Sequence, residues 1–112
     1  MVNKIVLACE YMTSPIFLYE DEDQTLVKLG FYSEQKFGPV DISSLNISNS
    51  LRENITMWDQ AYQRTFNHDY PPDSGFVSPN EKEKHIKLGK KLAECLTTEL
   101  GRGYDVEYKP IP

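Results

Sequence analysis

The first third of the chain alternates between apolar and polar positions in the way that β-strands do. Residues 4–11 alternate with two largely apolar faces, which is typical of an interior strand. Residues 16–19 predict a second strand, and the alternation over residues 25–32 predicts a third. The polar run at residues 20–24 has low strand propensity, so we expect a hairpin across it. Gly38-Pro39 then predicts an irregular stretch.

A helix is predicted over residues 50–67, because apolar residues recur there every three or four positions. The stripe consists of Leu51, Ile55, Trp58, Tyr62 and Phe66. Ser50 fits a capping box with Glu53, and Ser48 is the alternative cap. The helix must end before Pro71, and the prolines and Gly75 that follow predict an irregular connection.

A second helix is predicted over residues 79–100. Ser78 stands at its cap position, Pro79 at the first helical position, and Gly101 where the helix should stop. The apolar stripe consists of Leu88, Leu92, Cys95, Leu96 and Leu100. We expect Trp58 and the central leucines of this stripe to pack against the sheet.

Residues 104–108 alternate between apolar and acidic side chains, which predicts a last strand with one solvated face. The element order is then β-β-β-α-α-β. This order predicts an α+β fold with a small, mostly antiparallel sheet of about four strands and two helices packed on one face. No linker or repeat interrupts the chain, so we expect residues 1–112 to form a single globular domain.

Charge is distributed unevenly along the chain. The whole chain has a net charge of −5 and a pI near 5.0. Residues 1–80 hold five basic and eleven acidic residues, a net of −6, whereas residues 81–112 are close to neutral. An acidic surface repels a phosphate backbone, so direct binding of nucleic acid is not expected. No apolar run is long enough to cross a membrane, and the short apolar run after Lys4 does not fit a signal peptide, so we expect a cytoplasmic protein.

The sequence offers little to build an active site from. Cys9 and Cys95 are 86 positions apart, and we expect both to be reduced, buried and inert. His68, Asp69 and His85 could meet across the helical pair, but they lack the spacing of a metal site, so no metal is expected. No glycine-rich phosphate or dinucleotide motif is present, so we expect no cofactor and no enzymatic activity.

Two interpretations remain for the acidic run Glu20, Asp21, Glu22 and Asp23: a solvated turn, or a contact surface for a basic partner. Tyrosine is typical of interface anchors, and several of the seven tyrosines should lie at the surface. The candidate partner-binding residues are therefore Tyr19, Glu20, Asp21, Glu22, Asp23, Tyr32, Asp69, Tyr70 and Asp73.

The second half of the chain contains four motifs, which are Ser48-x-x-Leu51, Trp58-x-x-x-Tyr62, Gly89-x-x-Leu92-Ala93-x-x-Leu96-x-x-Glu99-Leu100-Gly101 and Tyr104-Asp105-Val106-x-Tyr108. With these motifs the chain resembles immunity proteins of bacterial contact-dependent growth-inhibition and related polymorphic-toxin systems. The motifs span about residues 45–108, and the N-terminal third matches no pattern of that kind. The resemblance implies a cytosolic protein that neutralises the C-terminal toxin domain of a cognate effector, frequently a nuclease.

A nuclease presents Lys and Arg around its phosphate-binding cleft, so an acidic protein suits it electrostatically. We expect a one-to-one complex with a basic toxin domain, without direct contact to nucleic acid or membrane. The alternatives are a non-catalytic interaction module or adaptor, and a small-ligand-binding protein whose aromatic side chains line a pocket.

Overall fold

The computed structural model of the chain describes residues 3–20 and 36–112. Within them lie four strands, β1 (Asn3–Ala8), β2 (Ile16–Glu20), β3 (Lys36–Pro39) and β4 (Tyr104–Lys109), and two helices, α1 (Asn49–Gln63) and α2 (Pro79–Leu100). Short 3₁₀ turns cover Ile42–Ser44, Pro71–Asp73 and Gly101–Gly103. The predicted α+β class is confirmed, and the described elements follow the order β-β-β-α-α-β.

The sheet is mixed, with the strand order β3-β2-β1-β4. β2 pairs antiparallel with both β1 and β3, whereas β4 pairs parallel with β1. A parallel neighbour requires a long crossover, and α1 and α2 lie in the part of the chain between β2 and β4. β1 is thus interior to the described sheet, as its two apolar faces predicted.

β3 lies where no strand was predicted. It contains Gly38 and Pro39, where an irregular stretch was expected. Proline is tolerated because β3 lies at an edge of the described sheet, where a missing backbone donor need not break a ladder. The strand predicted at residues 25–32 and the hairpin over residues 20–24 lie outside the described residues, apart from Glu20 at the end of β2.

The start of α1 is set by Ser48, the alternative cap, and not by Ser50. The Ser48 hydroxyl accepts a hydrogen bond from the Leu51 N–H at 3.2 Å and donates one to the carboxylate of Glu99 on α2 at 2.9 Å. The helix ends at Gln63, earlier than predicted, because the Thr65 N–H and hydroxyl both bond to the Tyr62 carbonyl and tighten the last turn.

The buried face of α2 is rotated from the predicted stripe. Its buried residues are His85, Gly89, Leu92, Ala93 and Leu96. Leu88 and Cys95 are exposed, so the prediction was wrong for both of them. Gly89 takes the place that the leucine stripe gave to Leu88, because only a residue without a Cβ fits against the rings of Trp58 and Tyr108.

The main core lies between the sheet and the two helices. Its fully buried side chains include Ile5, Leu7, Ile16, Ile55 and Leu96. Trp58 is 2% exposed and lies in the same cluster, as predicted. A second, small cluster of Val6, Ala8 and Phe17 lies on the opposite face of the sheet. In the described ranges, neither helix is long and apolar enough to cross a bilayer.

Candidate partner-binding surface

The loop that joins the helices, residues 64–78, carries three of the predicted binding residues. Asp69, Tyr70 and Asp73 are all exposed on this connecting loop. The Asn67 side-chain carbonyl accepts hydrogen bonds from the N–H groups of Asp69 and Tyr70, each at 3.0 Å, and the Asp73 N–H donates to the Tyr70 carbonyl. These local bonds hold the phenol ring of Tyr70 and the carboxylates of Asp69 and Asp73 on one turn.

The other predicted residues lie elsewhere. Tyr19 and Glu20 end β2 beside the start of β1, as the pairing of Tyr19 with Lys4 shows. Gln63, at the end of α1, accepts from the Met12 N–H and donates to the Glu10 carbonyl, so the connecting loop starts at the opposite end of β1. The structure therefore separates Tyr19 and Glu20 from the three predicted residues of the connecting loop. Asp21, Glu22, Asp23 and Tyr32 lie outside the described residues.

A groove that the sequence did not predict runs between α1 and α2. It has a volume of about 670 Å³. Its apolar lining consists of Met57, Trp58, Ala61, Phe76, Leu88 and Leu92, and its polar lining of Asn54, Arg64, Glu81, Lys84 and His85. Phe76 belongs to the connecting loop, so this helix-pair groove is contiguous with the segment that carries Tyr70.

Hydrogen bonds and ring contacts join the residues of the floor of the helix-pair groove. The Trp58 indole N–H donates to the His85 carbonyl at 2.9 Å, and the two rings stack with centroids 4.7 Å apart. Gly89 allows α2 to lie close to Trp58 and Tyr108, and the Tyr108 hydroxyl donates to the Ile86 carbonyl at 3.0 Å. A floor that is already bonded in this way lowers the cost of ordering side chains when a partner binds.

The banks of the groove combine exposed apolar side chains with unpaired charge. Met57 on α1 is 66% exposed and Leu88 on α2 is 45% exposed. Arg64 and Lys84 line the groove with Glu81, and none of the three forms an ion pair with another described residue. Exposed apolar side chains grouped on one surface and rimmed by polar residues are typical of protein contact sites.

A Cys–His pair lies behind this floor, and its chemistry is not that of a nucleophile. The Cys9 sulfur is 3.7 Å from His85 Nε2, which also donates to the Trp58 carbonyl at 3.2 Å. Burial, reinforced by the charge of Asp59, raises the pKa of the Cys9 thiol, and burial lowers the pKa of His85. Both groups are therefore neutral near pH 7, whereas catalytic cysteines act as thiolates. No sequence signal indicated this pair, because 76 positions separate its members.

The His85 ring leaves one nitrogen unpartnered. Because a carbonyl oxygen only accepts, Nε2 carries the proton and Nδ1 presents a lone pair. Nδ1 is buried and has no hydrogen-bond partner in the part of the chain that the structure describes.

His68 is exposed and packs edge-on against Phe66. Across residues 3–20 and 36–112, no three His, Cys, Asp or Glu side chains gather as a metal site would require.

A smaller hollow of about 470 Å³ lies where residues 13–15, residues 39–42 and α1 meet. Asp41 and Asp59 line it. A hydrogen bond from the Ser43 N–H lowers the pKa of Asp41, whereas burial raises the pKa of Asp59.

Comparison with known proteins gives one finding. A family model described as Serratia CdiI immunity protein-like matches residues 3–111. The match includes the N-terminal third, for which the sequence motifs indicated no relationship. No curated protein matches the chain.

Proposed function

The chain belongs to the Serratia CdiI immunity protein-like family, and from this we propose that it binds and neutralises the C-terminal toxin domain of a cognate contact-dependent growth-inhibition effector. We propose that the toxin is a ribonuclease or another nuclease and that the complex is one-to-one and forms in the cytoplasm. The observation that carries the proposal is the family match over residues 3–111, nearly the whole chain. It agrees with the resemblance drawn from the motifs of the second half.

The proposed inhibition requires binding and no catalysis. The one thiol–imidazole pair described above is buried and neutral, which supports a non-catalytic role. Inhibition by binding needs a rigid scaffold, an interface of about 1,600 Å² and a few well-packed anchors. The exposed apolar side chains of the helix pair and the connecting loop support such an interface.

Charge supports a basic toxin as the partner. The acidic excess of residues 1–80 would attract the Lys and Arg groups that a nuclease places around its phosphate-binding cleft. We propose that Glu20–Asp23, Asp69 and Asp73 steer this approach. Tyr19, Tyr32 and Tyr70 are the proposed aromatic anchors.

The proposal predicts that the gene directly upstream encodes the cognate effector, and co-expression with the C-terminal domain of that effector tests it. We expect the chain to restore growth of cells that express this domain, and the purified chain to abolish its nucleolytic activity at a one-to-one ratio. A toxin domain from an unrelated effector is the control and should not be neutralised.

Two results would contradict the proposal. If the chain does not bind the cognate domain, the partner is wrong. If it binds but leaves both toxicity and nucleolytic activity intact, it is an adaptor and not an inhibitor.

A further inference from the structure

We propose that the helix-pair groove is the docking site for an amphipathic helix of the toxin, which inserts apolar side chains between α1 and α2 and presents a carboxylate to Arg64 and Lys84. The inference rests on the proposed function, and it adds a site and a partner chemistry that the acidic residues do not indicate. It follows from three features of the groove: its apolar banks, its length and its charge.

The apolar banks face each other. Met57 on one helix and Leu88 on the other are 66% and 45% exposed, above the buried Trp58 and Leu92 of the floor. Side chains of this size gain from losing contact with water, and an inserted apolar side chain would cover both of them at once. The bonded Trp58–His85 floor lowers the cost of ordering this part of the site on binding.

The length of the groove fits a short helix. Its lining runs from Asn54 on α1 to Arg64, the first residue after that helix, and from Glu81 to Leu92 on α2. At 1.5 Å per residue, each bank is about 15 Å long, which matches roughly three turns of a helix. A helix docked in a groove places side chains at positions i, i+3 or i+4, and i+7 into it, so a volume of about 670 Å³ suits two or three such anchors.

The charge of the groove favours a docked helix that carries an acidic side chain. Arg64 and Lys84 outnumber Glu81, and neither cation is paired with a described acidic residue. A carboxylate beside the apolar anchors would complete a charge-assisted contact, whereas the Lys and Arg groups of a phosphate-binding cleft would be repelled. The groove therefore binds a part of the toxin other than its phosphate-binding cleft, even though the chain as a whole is acidic.

Two paired variants test the inference in complexes with the cognate toxin domain. The apolar variant Met57→Ala/Leu88→Ala is compared with Met12→Ala/Cys95→Ala, which shortens two exposed side chains outside both the groove and the connecting loop. We expect the groove variant to dissociate about 30-fold faster or more, as the loss of interface anchors does. The control should stay within about 2-fold of the unmodified chain.

The charge variant Arg64→Glu/Lys84→Glu is compared with Lys90→Glu/Arg102→Glu, which makes the same change in net charge at exposed positions outside the groove. We expect the groove variant to bind about 10-fold more weakly than its control at low salt, with the difference shrinking as salt rises. A toxin variant with one Asp or Glu changed to Lys should restore the binding. Urea unfolding of each variant confirms that it is folded.

The outcomes separate this inference from the proposed function. If the unmodified chain binds and protects while both groove variants behave like their controls, the docking site is wrong and the proposed function stands. If charge reversal strengthens binding, or if the groove variants change only the self-association of the free chain, the docking site is also wrong. If the unmodified chain does not bind the toxin, both proposals fail.

Discussion

Substituting Gly89 with Ala sets helix propensity against packing, and the two effects predict opposite signs. Gly89 lies inside α2. In an exposed helix, Gly→Ala is stabilising by about 1 kcal/mol. At this position a Cβ would lie 2.7 Å from Cζ2 of Trp58 and closer still to the Tyr108 hydroxyl.

The magnitude follows from what the new methyl group must displace. Trp58 is fully enclosed and bonded to the His85 carbonyl, so its ring has little room to move. Overpacking of a core costs about 1–3 kcal/mol. Displacing Tyr108 would also break its bond to the Ile86 carbonyl, at about 1 kcal/mol. After the gain in helix propensity, we expect the free energy of unfolding to fall by about 1–3 kcal/mol.

Urea unfolding followed by the fluorescence of Trp58, the only tryptophan, measures this change. Lys90→Ala, at the exposed neighbouring position, is the control and should change stability by less than about 0.5 kcal/mol. In a double-mutant cycle, Tyr108→Phe removes the hydroxyl nearest to the new Cβ and should recover part of the loss. An alanine variant that is about 1 kcal/mol more stable than the unmodified chain would refute the close packing of α2 on Trp58.

Two further predictions concern the Cys9–His85 pair. Burial lowers the pKa of His85 below its unfolded value near 6.5, so the unfolded chain binds the proton more readily than the folded chain. The contribution of neutral His85 to stability is therefore complete above pH 6.5 and declines as the pH falls towards the folded-state pKa. Urea unfolding at pH 8 and pH 5.5 should show this decline in stability in the unmodified chain and in the control His68→Gln. The decline should be smaller in His85→Phe. An equal decline in all three proteins would contradict the assignment of the effect to His85. The thiols should differ as well: Cys95 is exposed and should react with a thiol reagent within minutes, whereas buried Cys9 should react only after unfolding. In the variant Cys95→Ser, Cys9 is the thiol that remains. Fast reaction of this variant with the thiol reagent would contradict the burial of Cys9.

The sequence by itself determined the elements whose signals are local. Pro79 and Gly101 mark the ends of α2 because one fits the first turn of a helix and the other adopts a positive φ of 73°. The stripe through Trp58 predicted which face of α1 is buried, because the period of a helix is fixed by its backbone. The alternation of residues 4–11 likewise predicted an interior strand.

Only the tertiary structure decided how these elements face one another. The spacing of the leucines predicted that Leu88 and Cys95 lie on the buried face of α2. Packing against Trp58 and Tyr108 instead turns the helix so that Gly89 faces the core. A difference of one residue rotates a helical position by about 100°, so the period alone cannot choose between neighbouring stripes.

The candidate site depends on the same kind of information. Helix α1 ends beside the residues that follow β1, which places the connecting loop far from Tyr19, although both segments carried the same acidic and aromatic signal. The helix-pair groove exists only because α1 and α2 pack side by side, and most of its lining comes from two segments, residues 54–64 and 81–92, that the connecting loop separates. Local sequence sets backbone conformation and residue chemistry, whereas the pairing of distant surfaces is set by the packing of the whole core, which no short pattern encodes.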